Sequence, residues 1–188
     1  YEGRVNVVAP PSGIGINLTA ITADMLGEDF SQSIDQTVSK LQKLAPNVQS
    51  WAPNPDEYQS VMTGQTVLGV GQNARAQYYV DDSDGALSAT VPEEGTVYQI
   101  NTINLTEDAP NPEAAKTFID YALSPAAQEA FAEAMFYAPS ITNAELSDEV
   151  AERLVEFGDS GVIPLDQQWL AGARDEWTER WNREIVNN

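Results

Sequence analysis

Cysteine and histidine are both absent from the 188 residues. Without them there can be no disulfide, no thiol nucleophile, no Ser–His or Cys–His triad, and almost no zinc site, because zinc is held chiefly by thiolate and imidazole. Basic residues are scarce as well: 9 Lys and Arg stand against 29 Asp and Glu, a formal charge of −20 at pH 7. A surface of that sign repels phosphate backbones and anionic lipid, so nucleic acid is not an expected partner and peripheral membrane attachment is disfavoured. The acids are spread along the chain, which reads as a hydrated surface, with an acidic docking patch as the alternative. No apolar run approaches the ~20 residues of a membrane span, and the start does not read as a signal peptide. The chain is then either cytosolic or derived from a precursor whose start is not in this sequence.

What is present is enough to fold. The hydrophobic content of 42% argues against disorder, and the length suits one sizeable domain or two small lobes. Val5 to Val8 reads as a short buried strand, closed by Ala9-Pro10-Pro11-Ser12-Gly13 and followed by an amphipathic helix over about 16–26. Gly27 ends that helix. Phe30, Ile34, Val38, Leu41 and Leu44 then recur at three-four spacing and predict a second helix over 30–44. Pro55-Asp56-Glu57 opens a third, which Gly64 closes. The strand 67–70 follows, then about two helical turns through Tyr79, a strand over 87–91 and an extended run over 97–105. Beyond it the pattern is helical: 111–123, 124–136, 148–157 and a long helix from about Leu165. Strands separated by helices predict an α/β fold with a parallel or mixed sheet.

Three polar groups stand where such a sheet delivers ligand contacts, at the carboxyl ends of its strands. The first is Ser12-Gly13, a strand-to-helix turn whose N–H groups and helix dipole suit a carboxylate, phosphate or sulfonate; a plain Ser N-cap is the alternative. The second is Gln72, Asn73 and Arg75 after the strand 67–70. Their amides can read a polar solute and the guanidinium can hold an anion, unless Asn73 caps the next helix and Arg75 pairs with Asp81 or Asp82. The third is Tyr98, Gln99 and Asn101, where strand alternation puts Gln99 and Asn101 on one face and Tyr98 on the other, or else makes one polar face of an edge strand. Tyr78 and Tyr79 read as core and rim aromatics rather than metal ligands. Trp177 and Trp181, four apart, share a helix face that packs on the body of the protein or forms an aromatic box for a cation. No pair of acids has the setting of a catalytic dyad, and no nucleophile is matched to a base, so no enzyme activity, metal or cofactor is implied.

The succession of "YEGRVNVVAPPSG", "KLQKLAPNVQSW", "YQSVMTGQTVLGVGQNARA", "VPEEGTVYQINTINL", "APNPEAAKTFIDYALSPAAQEAFAE" and "YAPS" resembles extracellular solute-binding proteins of ABC importers, type II periplasmic class, and is most similar to the spermidine/putrescine-binding branch. The resemblance spans nearly the whole chain. It implies a type II periplasmic-binding-protein-like lobe, α/β with a mixed sheet flanked by helices, plus a helix-rich crossover segment. Residues 1–97 would be the second ligand-binding lobe, 98–140 a crossover strand and helices belonging to the first lobe, whose remainder is not in this sequence, and 141–188 C-terminal helices returning to the second lobe. It further implies an exported, periplasmic or extracellular protein without enzyme activity, which takes a small solute into an interlobe cleft and passes it to the membrane permease subunits. Self-association of the piece is a further expectation.

Carried over by position, the polyamine branch has acids in the first turn, a Trp at the strand end, and a Trp and an Asp in the crossover. Here the turn Ala9 to Gly13 holds no acid, Gln72 stands at the strand end, and Gln99 and Asn101 stand in the crossover; Tyr137 and Gln167 look like the retained Tyr and Gln. The carboxylates that would pair with a diamine have no counterpart, and burying an ammonium unpaired costs several kcal/mol. The Pro-Ser-Gly turn is more similar to branches that bind ferric ion with an anion, or phosphonates. The ferric branch, however, places adjacent tyrosines directly after the strand end, where this chain has Ala74-Arg75. A polyamine-like or an anionic or zwitterionic organic solute is therefore expected, with ferric ion or phosphonate as the alternative and an enzyme on a two-lobed fold, or a lobe that binds a partner and no solute, behind it.

Overall fold

The computed structural model describes residues 1–155 and 161–187. Its sheet has three short parallel strands in the order β2-β1-β3: β1 (Val5–Asn6) in the centre, β2 (Val48–Ser50) on one side and β3 (Leu68–Gly69) on the other. Val5 sits opposite Val48 and Leu68, and Asn6 opposite Ser50 and Gly69. The described sheet is thus purely parallel rather than mixed, as crossovers through helices require. Hydrogen bonds run past the strand ends, from Ala9 N–H to Trp51 C=O (2.9 Å) and from Val70 N–H to Asn6 C=O (3.1 Å). All three strands therefore leave the sheet at one rim.

Helix α1 (Gly13–Leu26) begins there, its first turn capped by the Ser12 hydroxyl, which accepts from Ile14 N–H at 3.2 Å. Gly15 allows this tight start: a Cβ at that position would stand 2.5 Å from Pro10 N and Cδ. Helix α2 (Asp35–Gln42) is shorter than the spacing predicts, and Leu44 leads into a 3-10 turn, Ala45–Asn47, around Pro46. Its N-cap, Ile34, has no side chain to give, so Glu28 reaches over: its carboxylate accepts from the N–H groups of Gln36 (2.9 Å) and Thr37 (2.8 Å) and from the Thr37 hydroxyl (2.7 Å). Helix α3 (Glu57–Met62) is capped by Asp56, whose carboxylate accepts from Gln59 N–H at 2.8 Å. Helix α4 (Asn73–Asp82) is longer than the two turns expected.

The core lies between the sheet and α1, α2 and the final helix α8 (Gln167–Trp181), which ends in a π-turn, Asn182–Val186. Val5, Val7, Ile16, Val38, Leu41, Leu170, Trp177 and Ile185 are buried together there. Trp181 is fully buried, donates its indole N–H to Thr19 Oγ1 (2.8 Å) and meets Trp51 edge-on at 5.6 Å. Trp177 packs against Phe30 and Trp169. The tryptophan face is thus core, and the cation box is not formed.

Two expected strands are absent. Residues 87–91 and 97–105 form no ladder; among the described residues the only pairing here is an isolated parallel bridge, Thr96 with Val162. Extended propensity becomes a strand only beside a partner, and among the described residues no neighbouring strand reaches these segments. Helices α5 (Pro112–Ala122) and α6 (Pro125–Met135) follow, capped by Asn111 and Ser124. Their apolar faces are not covered: Phe118 is 61% exposed and Tyr121 65% on α5, and Phe131 is 50% exposed on α6; Ile100, in the segment before them, is exposed as well. Helix α7 (Asp148–Ala151) is one turn: residues 152–155 continue as turn and coil rather than the helix expected, and positions 156 and 157 of that expectation lie outside the described residues.

Candidate functional site

A cleft of about 210 Å³ opens at the sheet rim. One wall is α1, which presents Ile14, Asn17, Leu18 and Ile21 at helical spacing. A second is the end of β3 and the first turn of α4, Val70 to Ala74. A third is Thr96 to Gln99 with Asn101, and the fourth is Phe136, Tyr137 and Ala138 with Leu154 and Val155. Amides supply much of its polarity, and none of the described lining residues is charged.

Six of the ten residues singled out from sequence meet here: Gln72, Asn73, Tyr98, Gln99, Asn101 and Tyr137. Gln72 donates its side-chain N–H to Gln99 Oε1 at 2.7 Å, so the strand end and the segment 96–101 are joined across the cleft. Tyr98 lines the cleft together with Gln99 and Asn101, which corrects the expected alternation: outside a sheet nothing enforces the two-residue period. Asn73 does not cap α4. It is the first helical residue, and its amide is committed, donating to Arg153 C=O (2.9 Å) and accepting from Gln77 (3.2 Å).

Ser12 and Gly13 stand at the lip, since a Cβ on Gly13 would come within 3.3 Å of Gln99 Oε1. The Ser12 hydroxyl oxygen accepts the capping bond from Ile14 N–H. Arg75 lies outside the lining: its guanidinium sits 5.8 Å from the Tyr79 ring centroid and 4.0 Å from Asp56, not beside Asp81 or Asp82. Gln167 is the exposed first residue of α8 and does not line the cleft.

The strand end is held by a residue that no sequence motif singles out. Tyr58 is buried, and its hydroxyl accepts from Gln72 N–H at 2.7 Å and donates to Gln72 C=O at 3.3 Å. Its ring stacks on Tyr79 at 5.3 Å. Gly71 is glycine because the phenol occupies the side-chain position, with Oη 2.5 Å from where a Cβ would be. Burial, with the neighbouring Glu57, pushes the Tyr58 phenol well above the usual range, so it stays a neutral donor and acceptor. Burial likewise raises the Glu57 carboxyl, with Asp56 adding to the effect. The α1 face was legible in principle, since Ile14, Asn17, Leu18 and Ile21 follow Ser12-Gly13 at three-four spacing.

Residues 5–154 match the family model described as bacterial extracellular solute-binding protein. The chain is 27% identical over 155 residues to the gamma-aminobutyric acid-binding protein of Pseudomonas aeruginosa, covering 80% of this chain and 43% of that protein. The fold is similar to an ABC transporter structure from Clostridium perfringens (TM-score 0.77, 24% identity, 98% of this chain and 59% of that one). It is also similar to the periplasmic binding protein AfuA from Actinobacillus pleuropneumoniae with fructose-6-phosphate bound (TM-score 0.75, 23% identity, 100% and 57%). The chain spans less than half the length of that curated relative and under two thirds of these structures. With a parallel α/β lobe, a cleft at its strand ends and a family match over most of its length, the chain belongs to the bacterial extracellular solute-binding proteins.

Proposed function

We propose that the whole protein is the binding component of an ABC importer, not an enzyme, and that this chain supplies one wall of the cleft in which it captures a small polar organic solute for the permease. The carrying observation is the meeting of Gln72, Gln99 and Asn101, from strand end and crossover, beside the start of α1. Amides and tyrosine hydroxyls bind polar groups without fixed charge, and the α1 N-terminus favours a negative end. A volume near 210 Å³ lies below the ~300–1,000 Å³ of pockets for drug-sized ligands, which suits a small solute.

An anionic or zwitterionic solute is the reading we favour. The relative from Pseudomonas aeruginosa is named for gamma-aminobutyric acid and AfuA was solved with a sugar phosphate, both consistent with such a solute. A diamine finds no carboxylate among the described lining residues. Residues 98–140 would belong to a first lobe whose remainder covers the exposed Phe118, Tyr121 and Ile100, and cleft closure would follow lobe motion.

Calorimetry on the full-length protein with γ-aminobutyrate, fructose 6-phosphate, 2-aminoethylphosphonate, putrescine and ferric citrate tests this. Saturable binding of a member of the first three is expected, weakened at least tenfold by Gln72→Ala. Tight putrescine or iron binding would overturn the ligand class, and no binding of any of them would remove the solute reading.

A further inference from the structure

Arg153 gathers more contacts than a surface arginine needs. Its side chain is 18% exposed. Nε donates to Gln77 Oε1 (3.0 Å) and Nη2 to Gln77 C=O (2.8 Å). Nη1 and Nη2 grip both carboxylate oxygens of Asp81 at 3.2 and 2.7 Å. The guanidinium carbon stands 4.0 Å from the centroid of the Phe136 ring. The backbone carbonyl accepts from Asn73 Nδ2. One residue therefore ties together α4, through Gln77, Asp81 and Asn73, the segment after α6, through Phe136, and Leu154–Val155, through the chain itself.

Phe136 makes this tie consequential. It ends α6 with φ 57, in the left-handed region that a residue with a bulky Cβ seldom occupies and that helix ends usually assign to glycine. Such a conformation persists only when its surroundings hold it, and held outliers gather at binding sites. Here the holding is visible: the ring is buried under the Arg153 guanidinium, and the next residue, Tyr137, faces the cleft. A planar cation that stacks and donates in a fixed fork does this, whereas an ammonium does not.

We propose that Arg153 is a positioning residue of the cleft, which holds the Phe136–Tyr137 turn and the Asn73 amide in place without touching the solute. The inference rests on the reading of this cleft as the solute site. The test uses the full-length protein with γ-aminobutyrate and fructose 6-phosphate as probes. Arg153→Lys, which keeps the charge beside Asp81 but loses the stack, is expected to weaken the bound probe about tenfold or more. Glu149→Gln, which removes only an exposed carboxylate 3.9 Å from the same guanidinium, should stay within about twofold. NMR provides the arm that a merely stabilising role would not move: in the Lys variant, well below its melting temperature, the Asn73 side-chain amide and the Tyr137 backbone amide should shift. Unchanged resonances overturn the proposal whether or not a probe binds, as does an unchanged Kd in a wild type that binds. Shifted resonances in a protein that binds neither probe support the positioning role and remove only these two solutes as ligands.

Discussion

Gly71→Ala is a direct probe of how the cleft wall is built. Gly71 has no positive φ, so alanine there carries no backbone penalty and would ordinarily gain about 0.4–1 kcal/mol by restricting the unfolded chain. The new methyl, however, would lie 2.5 Å from Tyr58 Oη and 2.7 Å from Cε1 and Cζ, inside any real contact distance. The ring cannot retreat easily, being buried and stacked on Tyr79. Overpacking of this kind costs about 1–3 kcal/mol, and displacing the 2.7 Å bond between Gln72 N–H and the phenol adds about 1 kcal/mol. A net loss of about 2 kcal/mol is expected, read from urea midpoints followed by tryptophan fluorescence. In a Tyr58→Leu background the colliding atoms are gone, and the same substitution should cost almost nothing, a coupling that a double-mutant cycle measures. A loss below about 0.5 kcal/mol, or an equal loss in both backgrounds, refutes the steric reason for glycine at position 71.

Three further outcomes follow from the polar and aromatic contacts. The Glu57 carboxyl is raised by burial, so the folded state binds its proton more tightly than the unfolded one and stability falls as pH rises through that interval; Glu57→Gln should raise the urea midpoint at neutral pH, a gain that vanishes in acid. Burial pulls Glu28 up, but the Thr37 hydroxyl and the Gln36 and Thr37 N–H groups prevail and lower it. Its contribution is complete above the ordinary carboxylate range and lost as pH falls through the folded value, so Glu28→Ala should cost about 1 kcal/mol at neutral pH and less in acid, again in urea midpoints. Trp181→Phe leaves a void and removes the donor to Thr19, and thermal unfolding should show a loss of about 2–3 kcal/mol.

Much of the framework was legible because its signals are local. Asn111 and Ser124 each cap the helix that the pattern starts there, Ser12 makes the plain N-cap weighed for it although α1 begins about three residues before the pattern does, and the apolar runs around Val5 and Val67 became parallel strands. The α2 boundary was not legible, because its cap comes from Glu28 several residues upstream. Residues 87–105 carry strand character, yet strand formation depends on a neighbour that their own side chains cannot supply.

By itself the sequence determined the chemistry at the rim: an acidic chain without cysteine or histidine, with amides and tyrosines where parallel strands end. It also placed Gln72, Gln99 and Tyr137 among the residues to watch, and the cleft brings them together. Only the tertiary structure decided that Arg75 turns away to Tyr79 and Asp56, and that Tyr58 holds the strand end from 14 residues away. It alone set Arg153, 76 residues from Gln77, against the elements that wall the cleft. The physical reason is that caps and turns depend on neighbours within a few residues, whereas stacking and long hydrogen bonds depend on where the packed chain returns.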